Sequence, residues 1–81
     1  MQAQSVYNQG LDKAMLGAYG EAINDFNQAL SIEPDNIDIY YNRGLSYLNS
    51  GNYQAAIADF TEVIRRHKFD RFFVYTTIRF S

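Results

Sequence analysis

Eighty-one residues, 47 % apolar and 20 % charged with a net charge of −2, describe one small ordered domain whose apolar side chains must share a core. The absence of Cys excludes a disulfide framework, a thiolate metal site and a thiol nucleophile, and no apolar run approaches the roughly 20 residues that cross a bilayer. The Met1 to Gly10 stretch lacks the basic-then-apolar order of a secretory signal, so a cytoplasmic location is the expectation.

In chain order, the first predicted helix runs from about Ser5 to Leu16 and is closed by Gly17, a residue able to adopt the left-handed conformation that ends helices. The second carries Ala22, Ile23, Phe26, Ala29 and Leu30, the i, i+3, i+4, i+7 spacing of a helix with one apolar face. Pro34 stops it, and Asp35 and Asn36 supply the side-chain acceptors that start a third helix, predicted over Ile39 to Ser50 and closed by Gly51. Asn52 then caps a fourth helix, whose apolar face is Ala56, Ile57, Phe60, Val63 and Ile64. Beyond it, Phe69 to Ser81 supports two readings. Tyr75 in register with Tyr41 suggests a partial fifth helix that caps the fold, whereas the Phe, Thr, Val, Tyr and Ile of Arg71 to Phe80 have strand propensity.

This order is a repeat. A shift of 34 residues places Tyr7, Asn8, Gly10, Leu11, Gly17, Tyr19, Ala22, Ile23, Asp25 and Phe26 on Tyr41, Asn42, Gly44, Leu45, Gly51, Tyr53, Ala56, Ile57, Asp59 and Phe60. Such a fixed period marks stacked units that bury their apolar faces against one another. Gly10 and Gly44 fall inside helices, where Gly costs about 1 kcal/mol against Ala, so close packing is expected there, with Ala22 and Ala56 facing them and Phe26 and Phe60 beyond.

Little points to catalysis. One His and no Cys leave no zinc constellation, no phosphate-binding Gly loop or nucleophile elbow occurs, and no cofactor is implied. Asp59 and Glu62, three residues apart on one helix, read as solvated carboxylates. Residues 1–64 hold Lys13 and Arg43 against eight carboxylates, giving −6, while residues 65–81 hold five cations against Asp70, giving +4. That is a poor fit to nucleic acid, and Arg65, Arg66, Lys68 and Arg71 read as cations at a helix end. The asymmetry fits a solvated basic terminus or, alternatively, steering of an acidic partner or end-to-end self-association.

The period and its residues resemble the tetratricopeptide repeat family. The pattern's helix residues are met by Gly10, Tyr40, Gly44 and Tyr47, by Ala22 and Phe26, and by Ala56 and Phe60; its terminal Pro falls on Pro34 but on Lys68 in the second unit. The missing Pro lets the fourth helix run on. The resemblance implies an all-α fold, antiparallel helix hairpins stacked as a right-handed solenoid: repeat 1 over about 3–36, repeat 2 over about 37–70, and a cap or partial third repeat over 71–81. It implies a non-catalytic scaffold that binds a protein or peptide in a concave groove, with no nucleic acid and no membrane. By resemblance, the groove is lined by Gln4, Tyr7, Asn8, Leu11, Met15, Asp38, Tyr41, Asn42, Leu45 and Asn49. The alternative is a homodimer formed through the open repeat ends or the apolar tail. One family variant clamps an acidic C-terminus with two Lys, two Asn and an Arg; only Asn42 matches it, Tyr7 and Leu11 standing at the first Lys and Asn places and Phe72 and Thr76 where a third unit would supply Lys and Arg.

Overall fold

A computed structural model describes the backbone of residues 2–79 and the side chains of residues 2–67. Four helices follow one another: α1 (Ala3–Met15), α2 (Tyr19–Ile32), α3 (Ile37–Asn49) and α4 (Tyr53–Arg79), and no strand occurs among the described residues. α1 packs on α2 and α3 on α4, and the two hairpins are joined through α2 against α3. Helices α1 and α3 begin two residues earlier and end one residue earlier than expected, an ordinary fraying of element ends.

The turns follow from their residues. Gly17 has φ +81° and Gly51 φ +88°. In each case the Gly amide returns to the helix (Gly17 N to Ala14 O, 3.0 Å; Gly51 N to Leu48 O, 3.1 Å) and the next amide reaches one residue farther back (Ala18 N to Lys13 O, 2.9 Å; Asn52 N to Tyr47 O, 2.8 Å). This paired closure requires the left-handed residue that Gly supplies without a Cβ clash. At the starts, Asn36 Oδ1 accepts from the Asp38 amide at 3.0 Å, and Asn52 Oδ1 accepts from the Ala55 amide at 3.3 Å. Ala18, the equivalent of Asn52 in the first unit, caps α2 with no side chain.

The core lies between α1, α2 and the start of α3: Val6, Ala22, Phe26, Ala29, Leu30 and Ile39 are buried, with Tyr7, Leu11, Ala14 and Tyr40 against them. The expected close contact at the helical glycines is present, with one refinement. The Phe rings do not lie beyond the glycines but sit on them: a Cβ on Gly10 would be 2.6 Å from Phe26 Cε1, and one on Gly44 would be 2.7 Å from Phe60 Cε1.

The two units differ at their far faces. Leu30 is 9 % exposed beneath α3, whereas its equivalent Ile64 is 63 % exposed, as is Ile57. In α4, the absence of Pro at Lys68 has its expected effect. The helix continues without a break to Arg79, so residues 71–79 form neither the separate fifth helix nor the strand considered from the sequence. The packing of that tail lies outside the described side chains.

Candidate functional site

The face expected to line a groove is supported outward from the glycine notches. Phe26 fills the notch at Gly10, and the Tyr7 ring rests on it at 5.8 Å between centroids, tilted by 49°. Phe60 and Tyr41 repeat this over Gly44 at 5.9 Å and 51°. Such tilted pairs are a favoured aromatic geometry, so each tyrosine is held from behind by its own repeat.

Helices α1 and α3 are joined at the surface by one side-chain bond, Asn42 Nδ2 donating to Tyr7 Oη at 2.7 Å; the same amide nitrogen donates to Asp38 O at 2.9 Å. On α1, Gln4 Nε2 donates to Asn8 Oδ1 at 3.0 Å. These bonds commit one end of each asparagine amide. Asn42 keeps its carbonyl oxygen as acceptor and Asn8 keeps its NH2 as donor. Burial and then the nearby Asp38 charge push the Tyr7 hydroxyl above its ordinary pKa, so it remains a neutral phenol at physiological pH.

Of the ten residues expected to line the groove, none is buried. Tyr7, Leu11, Asn42 and Leu45 are half-buried, and Gln4, Asn8, Met15, Asp38, Tyr41 and Asn49 are exposed. Tyr7, Asp38 and Asn42 are brought together by the bonds above, whereas Met15 stands 85 % exposed at the far end of α1. A cleft of about 40 Å3 lies between Ala3, Gln4, Tyr7, Asp38 and Ile39, and is completed by Glu33 and Asn36. Glu33 and Asn36 were not anticipated. They occupy the junction between α2 and α3, where the sequence signals a turn and gives no sign of which surface the turn borders.

On the opposite side, two expectations are corrected. Asp59 is not solvated but buried, and Arg43 grips it with two bonds, Nε to Oδ2 at 2.8 Å and Nη2 to Oδ1 at 2.6 Å, while Nη1 reaches Asn27 Oδ1 at 2.7 Å. These bonds and the Asp59 charge outweigh partial burial and hold the Arg43 pKa above its ordinary value. Asp25, the equivalent of Asp59, is met instead by Lys13 at 2.9 Å, four positions along in repeat register, which is why the 34-residue comparison did not pair them. Arg65 and Arg66 do not decorate a helix end, because α4 runs past them. Both bond Glu62, and Arg66 also bonds Asp35 at 2.6 Å and stacks on Tyr40 at 4.9 Å. These ties fix the hairpins without entering the groove.

Two family models match the sequence, one described as TPR repeat over residues 10–51 and one as tetratricopeptide repeat over residues 37–69. No curated protein matches it. Among solved structures, the crystal structure of MamA protein is similar, with a TM-score of 0.77 and 27 % identity over 82 % of this chain. The chain spans 36 % of the length of that structure.

Proposed function

Because the chain belongs to the tetratricopeptide repeat family, whose repeats generally mediate protein–protein interaction, we propose that it is a non-catalytic module holding an extended segment of a partner polypeptide in the groove between α1 and α3. The observation that carries this reading is the groove's polar register. The Asn8 NH2 and the Asn42 carbonyl are open as donor and acceptor beside the Tyr7 and Tyr41 rings, which suits the alternating N–H and C=O of an extended backbone flanked by apolar anchors. Among the described residues no three of His, Cys, Asp or Glu gather as a metal set, and no helix is long and apolar enough to cross a membrane.

Selection of a random peptide library on the folded chain, followed by titration of the selected peptides against the Tyr41→Ala/Asn42→Ala double variant, tests the reading. Loss of an anchor at the centre of such a surface costs about 2 kcal/mol or more, so affinity should fall at least tenfold while the helical signal is kept. Equal affinity in a folded double variant would remove the groove as the site.

A second reading is favoured by one observation. Ile57 and Ile64 are exposed where α2 presents the half-buried Ile23 and the buried Leu30 to α3, so the second unit offers an apolar end able to take a second copy. Sedimentation across a concentration series, with Ile57→Gln/Ile64→Gln as control, separates the two. A dimer lost in that variant supports self-association; a monomer at all concentrations rejects it.

A further inference from the structure

We propose that the cleft between Gln4, Tyr7 and Asp38 selects a cationic side chain, so that the bound segment is a peptide carrying Lys or Arg beside Tyr7; this rests on the groove reading above. Four cationic side chains are described, and each is engaged within the chain: Lys13 by Asp25, Arg43 by Asp59, Arg65 by Glu62, and Arg66 by Asp35 and Glu62. Eight carboxylates accompany them, so Asp12, Glu21, Glu33 and Asp38 remain without a cation at ion-pair distance among the described residues.

Two of those four meet at one place. Glu33, at the end of α2, and Asp38, in the first turn of α3, border the same cleft, and its remaining walls are uncharged: Ala3, Gln4, Tyr7, Asn36 and Ile39. None of the ten residues expected along this face is a cation, and among the described residues no cation lies at ion-pair distance from either acid. The Asp38 charge already acts on Tyr7, adding to burial in raising its pKa.

The chemistry of the cleft fits a cationic side chain better than other ligands. Its accessible lining is polar, the aromatic Tyr7 borders it, and the two carboxylates neutralise a cation's charge. A metal ion would need more ligands than these two carboxylates provide, and no group of three potential ligands exists among the described residues. An acidic peptide would meet like charge at the entrance, opposite to the electrostatics of a surface that holds a C-terminal carboxylate.

The test uses the library of the previous section on the full chain. Peptides that lose affinity in Tyr41→Ala/Asn42→Ala are expected to be enriched in Lys and Arg over Asp and Glu. Each is then titrated against Glu33→Gln/Asp38→Asn, which keeps side-chain size and removes both charges. Two exposed carboxylates predict a roughly three- to tenfold loss at low salt, which shrinks as salt screens the pair. Replacing the peptide's Lys by norleucine should bring parent and acid-to-amide variant to equal affinity. Groove-dependent peptides with no cationic preference, or with unchanged affinity for the amide variant, would overturn this inference and leave the groove reading intact. Peptides indifferent to Tyr41 and Asn42, or a library yielding no binder, would overturn both.

Discussion

Replacing Gly10 by Ala puts the glycine-notch account at risk, because two opposing effects fix the sign of the result. Ala improves on Gly inside a helix by about 1 kcal/mol. The new Cβ, however, would stand 2.6 Å from Phe26 Cε1, 2.8 Å from Cδ1 and 3.1 Å from Cζ, where carbon atoms rest at about 3.5–4.0 Å. The ring would have to move by roughly 1 Å, yet Phe26 is fully buried and has Tyr7 stacked against it. Forcing extra volume into such a contact costs about 1–3 kcal/mol, and the tightness of this one places it in the upper part of that range. The net loss is about 1–2 kcal/mol, or roughly 5–15 °C in Tm for a domain of this size, read by thermal and urea unfolding in far-ultraviolet circular dichroism. Gly20→Ala is the control: nothing lies within 4 Å of its added Cβ, so it should be neutral or stabilising. Gly44→Ala meets Phe60 Cε1 at 2.7 Å and the buried Asp59 Cβ at 3.2 Å, so, although Phe60 is only half-buried, this substitution should also destabilise. If Gly10→Ala stabilised the protein as Gly20→Ala does, Phe26 would not be fixed in the notch, and the support it gives Tyr7 would fall with it.

Asp59→Asn should cost about 1–3 kcal/mol by urea unfolding, because it breaks a two-bond grip on a largely buried carboxylate and strands part of the Arg43 charge. Asp25→Asn should cost less, since Lys13 is more exposed and regains water; equal losses would refute the distinction. Glu62 is held below its ordinary pKa of 4.5 by the hydrogen bond from Arg66 together with one from Arg65. A depressed carboxylate stabilises above the unfolded value, and that gain is lost as pH falls through the lower folded value. Glu62→Gln should therefore flatten the acid limb of the urea midpoint against pH below about 4.5, and parallel limbs would show that the pair contributes nothing.

The hairpins were legible because their signals are local. Gly17, Gly51, Pro34 and Asn36 fix turns through backbone conformation and capping, and Ala22, Phe26, Ala29 and Leu30 state a helical face by spacing alone. The candidate site was legible only as a set of recurring residues. Tyr7, Asn8, Tyr41 and Asn42 recur at the repeat period, but period does not say that Asn42 spends its NH2 on Tyr7, or that Glu33 turns toward the cleft. The ion pairs were missed for a related reason. Arg43 and Lys13 meet equivalent aspartates from non-equivalent positions, a three-dimensional coincidence of reach that leaves no trace in a self-comparison. The continuous α4 was legible in the missing Pro at Lys68, against the competing register of Tyr75.

The central claim, that a partner segment lies along α1 and α3, is tested most directly by mapping amide chemical shifts as a selected peptide is added to isotopically labelled protein. Shifts should concentrate on Tyr7, Asn8, Leu11, Tyr41, Asn42 and Leu45, and leave Asn27, Asp59 and Glu62 on the opposite side unmoved. A map centred on Ile57 and Ile64, or spread evenly over the helices, would contradict it.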